Sequence, residues 1–230
     1  MPPPRAKCLA LATFLAAPAL LAADAPPATP SSVTIWRLEQ PAQVGGHPAS
    51  VLGEPRLVKD AAGSSLFFNG STDGLFVPVN PLAGLAQFTI EVLFKPEPGG
   101  LAEQRFLHLQ DETGSRGLME IRLAGDTWAL DTFLYSEATK AKCALLDPAR
   151  RHPAARWTWV ALVYANGHMA HYIDGVKELE GDVAFPPMAA GQTSLGVRQN
   201  KVFWFKGGIR EVRFHPQALA PAALQSTRSP

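Results

Sequence analysis

WTWVALVYANGHMAHYIDGVKEL, residues Trp157 to Leu179, reads as three strands joined by two tight turns. Asn166-Gly167 and Asp174-Gly175 interrupt runs of β-branched, aromatic and apolar residues. Both dipeptides tolerate the positive φ that two-residue hairpin turns require, so two such turns in series predict a meander of antiparallel strands. In the first strand Trp157, Trp159, Ala161 and Val163 alternate with Val160, Leu162 and Tyr164. A strand with one wet face would show polar residues at every second position. This one does not, so it is expected in the middle of a sheet, covered on both sides, with Trp157 and Trp159 in the core.

The same pattern extends outward in both directions. Short β-prone runs recur at Ser65–Phe68, Leu75–Val79, Phe88–Lys95, Arg105–Gln110, Leu118–Leu123 and Thr127–Tyr135 before the meander. They recur at Thr193–Arg198, Val202–Lys206 and Gly208–Phe214 after it. Turn clusters such as Asn69–Gly74 and Asp111–Gly117 separate them, and helical periodicity is nearly absent apart from a short terminal helix at Leu219–Gln225. At least ten short strands without a long linker predict one all-β domain over 33–230, an antiparallel sandwich or barrel. With 230 residues, 47% of them hydrophobic, the chain can bury a sizeable core.

Residues 1–25 read as a signal peptide. Arg5 and Lys7 precede an apolar run from Cys8 to Ala22, and Ala23-Asp24-Ala25 offers a small-x-small cleavage site. The run is short and holds Pro18, which argues against a permanent membrane span. Secretion or periplasmic export is the expectation, with 26–32 as a flexible Ala/Pro/Thr/Ser-rich lead-in. After cleavage the only cysteine is Cys143, so no intramolecular disulfide forms and the core alone holds the fold. Its neighbours offer no activating charge, and it reads as passive. A net charge of +1 without a basic block argues against nucleic acid and acidic membrane surfaces as partners.

Three stretches resemble the laminin G-like, concanavalin A-like lectin/glucanase jelly-roll superfamily. SLFFNGSTDGLFVPVNPLAGLAQFTIEVLFKPEP (Ser65–Pro98) is similar to the family's opening strands. Trp157, Val160, Ala161, Tyr172, Asp174 and Gly175 are similar to its tryptophan–valine–alanine and aspartate–glycine hairpin. FKGGIREVRFHPQALAPAAL (Phe205–Leu224) resembles its closing strand and turn. The resemblance implies two stacked antiparallel sheets. It spans carbohydrate-binding modules, adhesive domains and scaffolds for hydrolases and lyases, so it leaves function open. Many relatives place an acidic residue, in some cases a calcium ligand, where this chain has Arg210. A guanidinium supplies no oxygen to a hard cation. No cofactor is expected otherwise. Calcium stays open through Asn69 and Asp73, against the plainer reading that both serve a turn.

The acidic alternation Glu178, Glu180, Asp182 puts three carboxylates on one strand face but lacks interleaved tryptophans, and reads as a solvated face. A richer constellation lies in the middle strands, where His108, Glu120, Arg122, Asp131 and Tyr135 alternate with leucines and isoleucine. If the apolar faces form the core, these five share one outer surface. There they would bind sugar hydroxyls or act as acid and base; some jelly-roll lyases use an arginine, a histidine and a tyrosine on such a face, and Glu120-Ile121-Arg122 is the one stretch here similar to their motifs. Plain cross-strand ion pairs are the alternative. Trp128 and Trp204 are the candidate sugar platforms. The reading is a non-catalytic binding module for a glycan or a cell-envelope protein. A polysaccharide hydrolase or lyase and a structural or adhesive module are the alternatives.

Overall fold

The computed structural model describes residues 32–227. The signal peptide assigned to 1–25 and all but the last residue of the lead-in lie outside the described residues. In chain order the strands are β1 (Thr34–Arg37), β2 (Gln43–Val44), β3 (His47–Pro48), β4 (Ser50–Leu52), β5 (Arg56–Asp60) and β6 (Gly63–Asn69). Next come β7 (Gly74–Val77), β8 (Phe88–Pro96), β9 (Glu103–Asp111), β10 (Arg116–Ala124), β11 (Thr127–Tyr135) and β12 (Lys142–Leu146). The last six are β13 (His152–Pro153), β14 (Thr158–Ala165), β15 (His168–Ile173), β16 (Val176–Asp182), β17 (Gly191–Leu195) and β18 (Lys206–His215). A single 3-10 turn at Pro221–Ala223 stands where a terminal helix was expected. No helix among the described residues is long and apolar enough to cross a membrane.

Two antiparallel sheets stack as a jelly-roll sandwich. The first runs β16-β15-β14-β8-β18-β6-β5, with β1 also pairing β18; the second runs β12-β11-β10-β9-β17-β7-β4, with β13 pairing β11. The meander Trp157–Leu179 becomes β14, β15 and β16, and Asn166 and Asp174 hold φ of 53° and 47° in its two turns. Between the sheets lies one continuous apolar core. Phe94 of the first sheet stacks on Phe106 of the second at 4.5 Å and meets Trp128 edge-on at 5.0 Å. Such ring pairs add to the large apolar area they remove from water.

β14 sits between β15 and β8 and is covered on both sides, as its two-faced apolarity requires. Val160, Leu162 and Tyr164 face the core. On the outer face Ala161 packs with Ala170 and Tyr172 under Leu219 and Leu224 of the C-terminal segment. Buried Glu91 of β8 ties that segment down, accepting the Gln225 amide at 2.6 Å and pairing with His215 at 2.9 Å. The two tryptophans expected in the core belong to this outer face instead. Trp159 lies beneath Arg213, and half-exposed Trp157, just before β14, packs against Arg210 at 4.3 Å. One residue of alternation decides this, because Val160 and Leu162 already occupy the inward positions.

Val202–Lys206, expected as a strand, is mostly loop: Lys201 and Phe203 hold φ of 61° and 59°, outside the extended region, and β18 starts only at Lys206. The loop from Gly196 to Phe205 is anchored at both ends. Gly196 N–H donates to Phe106 O at 3.1 Å, and Phe205 N–H donates to Gly196 O at 2.8 Å.

Candidate functional site

The outer face of the second sheet carries the polar groups. On β10, Met119, Ile121 and Leu123 point into the core, so Leu118, Glu120 and Arg122 point out. On β11, Leu130 and Leu134 point in, leaving Asp131, Phe133 and Tyr135 outward. Glu120 pairs directly with Asp131 across the two strands. β9 departs from simple alternation. Its register against β10 shifts after Leu107, so that Glu120 faces Arg105 rather than Phe106. This bulge sends both Phe106 and Leu107 into the core. Arg105 therefore joins His108 and Gln110 on the outer face, three residues from His108 instead of two.

Arg105 and Arg122 lock three carboxylates. The Arg122 guanidinium meets Asp131 Oδ2 at 2.6 Å, Glu120 Oε2 at 3.8 Å and, more closely, Glu103. Arg105 reaches Glu103 Oε2 at 2.7 Å and Glu120 Oε1 at 2.9 Å, while its guanidinium stacks on Phe203 at 3.8 Å. The Glu120 and Asp131 side chains are only 3% and 5% exposed. Burial pushes the Glu120 carboxyl up to about 7 in spite of the two arginines, and it raises Asp131 as well. The hydrogen bond from Arg105 holds Glu103 below its usual range.

Two further guanidinia stand beside this network. Arg116 packs over Tyr135 at 4.4 Å and donates to Gly114 O at 3.3 Å. Arg198 is half-buried in the Gly196–Phe205 loop; burial, then Arg105 and Arg116, lower its pKa. The four arginines line a depression of about 190 Å³ whose remaining wall includes Leu118 and Phe133. Leu118 and Phe133 pair with each other across β10 and β11, so the apolar patch sits among the charged groups, between Arg116 and the Glu120–Asp131 pair.

Of the seven residues expected at a ligand site, Glu120, Arg122 and Asp131 come together here, and Tyr135 lies at the rim, donating its hydroxyl to Glu137 at 2.7 Å. His108 shares the face but is covered by the loop. It is 1% exposed, and its Nδ1 accepts the Gln199 amide at 3.0 Å. Burial, then Arg198, Arg116 and Arg105, lower its pKa to about 3, so it is neutral at ordinary pH. Trp128 offers no platform: it is 0% exposed, inside the core against Phe94, with Nε1 donating to Pro153 O. Trp204 is half-buried and does not line the depression.

Asn69 and Asp73 form a turn in which their oxygens accept main-chain N–H groups. Asn69 Oδ1 takes Ser71 and Thr72 at 2.9 Å, and Asp73 takes Glu54 and Asn69 at 2.9 and 3.0 Å. Among the described residues no group of three His, Cys, Asp or Glu gathers as a metal site. The Glu178–Glu180–Asp182 row is broken by a second bulge. Glu178 turns inward to His152 at 2.8 Å, away from Glu180 and Asp182, which pair with His168. Burial raises the Cys143 thiol, which fits a passive cysteine.

Sequence reasoning missed Arg105, Arg116 and Arg198. Arg116 was readable, since it continues the Leu118, Glu120, Arg122 alternation by one step. Arg105 was hidden by the bulge, and Arg198 by a loop that reads as strand.

A sequence profile described as the concanavalin A-like lectin/glucanases superfamily, laminin G type, matches residues 69–225. No curated protein sequence matches the chain. Solved structures share the architecture at low identity. Domain 4 of AbnA, an extracellular arabinanase of family GH43 from Geobacillus stearothermophilus solved with arabinotriose, is 20% identical over 83% of this chain and 95% of its own, with a TM-score of 0.61. The CBM40 module of the Ruminococcus gnavus IT-sialidase, bound to α2,3-sialyllactose, is 19% identical over 75% and 95%, with a TM-score of 0.52. The NanB sialidase of Streptococcus pneumoniae is 17% identical over 61% of this chain but only 23% of its own, with a TM-score of 0.51. The chain thus spans about a quarter of that sialidase. At these identities the likeness is one of fold.

Proposed function

The chain belongs to the concanavalin A-like lectin/glucanase superfamily, and on that footing we propose that it is an exported, non-catalytic carbohydrate-binding module whose ligand sits on the outer face of its second sheet. The observation that carries this reading is the depression in which Arg105, Arg116, Arg122 and Arg198 surround the neighbouring apolar side chains Leu118 and Phe133. Sugar rings present hydroxyls at the edge and C–H groups on the face, and a pocket with guanidinium donors around an apolar patch meets both. The related folds solved with arabinotriose and sialyllactose support the same ligand class. The charged run and apolar stretch of residues 1–25 support export.

One feature favours a hydrolase or lyase instead: Glu120, raised to about 7, stands across from Asp131, the pairing of a proton donor with a carboxylate. Access argues against it. Both carboxylates are almost fully buried and held by arginines, and His108, the remaining acid–base candidate, is covered and neutral. The test is affinity electrophoresis across a panel of polysaccharides, with parallel assays for reducing ends and unsaturated uronate. Retention on at least one glycan, without product and weakened in Phe133→Ala, is expected. Product that disappears in Glu120→Gln overturns the reading in favour of an enzyme. No retention on any glycan overturns it in favour of an adhesive module with a protein partner.

A further inference from the structure

Counting charges around the depression separates two kinds of arginine. The four arginines together exceed the three carboxylates Glu103, Glu120 and Asp131 by one charge, and Arg105 and Arg122 are ion-paired with these carboxylates. Arg116 and Arg198 are not: among the described residues neither forms an ion pair with a carboxylate, and the only hydrogen bond shown for the Arg116 side chain goes to a main-chain carbonyl. Arg198 is nevertheless drawn partly out of water and stands close enough to Arg105 and Arg116 to feel both charges, which outweigh the attraction of Glu120 and Glu103, carboxylates already engaged by Arg105 and Arg122. Holding like charges together at a half-buried site is unfavourable unless an anion joins them. The fold spends structure on this arrangement. The Gly196–Phe205 loop that carries Arg198 is pinned to β9 by Gly196 N–H on Phe106 O and by Arg105 N–H on Phe203 O, at 3.1 and 2.9 Å.

Resting on the carbohydrate-binding reading, we infer that Arg116 and Arg198 receive the anionic substituent of an acidic sugar, a carboxylate or a sulfate ester, while its ring lies against Leu118 and Phe133. Guanidinium forks match either group with paired hydrogen bonds. The depression, about 190 Å³, is smaller than the ~300–1,000 Å³ typical of sites that enclose a drug-sized ligand, so it takes one charged residue of a chain rather than a whole oligosaccharide. Glu120 and Asp131, the two carboxylates of the lining, do not repel such a guest strongly, because both are buried and paired with Arg105 or Arg122. With Arg116 and Arg198 the lining holds four arginines to two carboxylates, and that positive surplus is what meets the guest.

The experiment compares polygalacturonate, its methyl ester, a sulfated galactan, sialyllactose and neutral arabinan as ligands of the whole chain, by calorimetry at low and raised salt. At least one acidic ligand is expected to bind ten-fold or more tightly than the neutral ones, with affinity falling as salt rises. Which acid wins tells carboxylate from sulfate. Arg116→Gln and Arg198→Gln should each weaken that binding about ten-fold, and the double variant should abolish the preference while thermal unfolding stays close to that of the parent. Arg198 lies in a loop, so its variant serves if Arg116→Gln folds poorly. Equal binding of polygalacturonate, its ester and arabinan, or acid binding indifferent to Arg198→Gln, overturns this inference and leaves the carbohydrate-binding reading standing. Binding to none of the five here, together with no retention across the wider panel, overturns both.

Discussion

Mild acid should destabilise this protein through two buried histidines, and the direction can be made to reverse. His108 is covered by the Gly196–Phe205 loop, and burial lowers its pKa from 6.5 to about 3. His171 lies in the core with Nδ1 3.1 Å from Thr132 Oγ1, and burial lowers it to about 4. In the unfolded chain both take up a proton near pH 6.5, whereas in the folded protein neither does until well below pH 5. Between pH 6.5 and 4.5 the unfolded state therefore binds up to two more protons, and stability falls as pH falls. Glu120 acts in the opposite sense. Its folded pKa of about 7 lies above the unfolded 4.5, so the folded state holds the extra proton and gains stability on acidification. Asp131, also raised by burial, adds to that gain, and exposed His168, raised by Asp182 and Glu180, contributes little through solvent screening. Two protons against about one leave a net slope of roughly 1.4 kcal/mol per pH unit, or about 2–3 kcal/mol lost across the window. Urea unfolding at half-unit pH steps measures it. His108→Asn with His171→Asn keeps an acceptor near each Nδ1 position and removes both titrations, so Glu120 and its neighbours then dominate and the double variant should become more stable as pH falls. A parent protein stabilised by acid, or a double variant with the parent's slope, would refute the assignment of these groups as buried and neutral.

Two other perturbations test the architecture of the site. Arg105→Met leaves Glu120 with Arg122 at 3.8 Å as its nearest cation; the expected cost is about 3 kcal/mol at pH 8, shrinking toward pH 5.5 as Glu120 protonates, and largely recovered in Arg105→Met with Glu120→Gln, by a double-mutant cycle of urea midpoints. Gly196 holds φ of 77°, and a Cβ there would lie 2.2 Å from the Phe68 ring; Gly196→Ala should cost about 2–4 kcal/mol in thermal unfolding through backbone strain and overpacking, and should weaken glycan binding by displacing Arg198.

The architecture was written in local chemistry. Asn166-Gly167 and Asp174-Gly175 force hairpins wherever they occur between β-prone runs, and the two-faced apolarity of Val160 to Tyr164 admits only a central strand. Side-chain direction has a period of two along any regular strand, so Glu120, Arg122, Asp131 and Tyr135 could be placed on one face from spacing alone. The same arithmetic failed wherever register was set by a partner strand. An extra residue at Phe106–Leu107 turned Arg105 outward, and another on β16 turned Glu178 inward. A bulge is a property of two strands and leaves no periodic mark on either. Burial was equally illegible. Trp128 and Trp157 look alike as residues, but one lies between the sheets and the other under Arg210, because depth depends on which elements close over a position. The unpaired charge of Arg116 and Arg198 belongs to the same class of fact. Only when the loop after β17 folds back onto β9 do two arginines 82 positions apart in the chain share one depression, with every neighbouring carboxylate already taken.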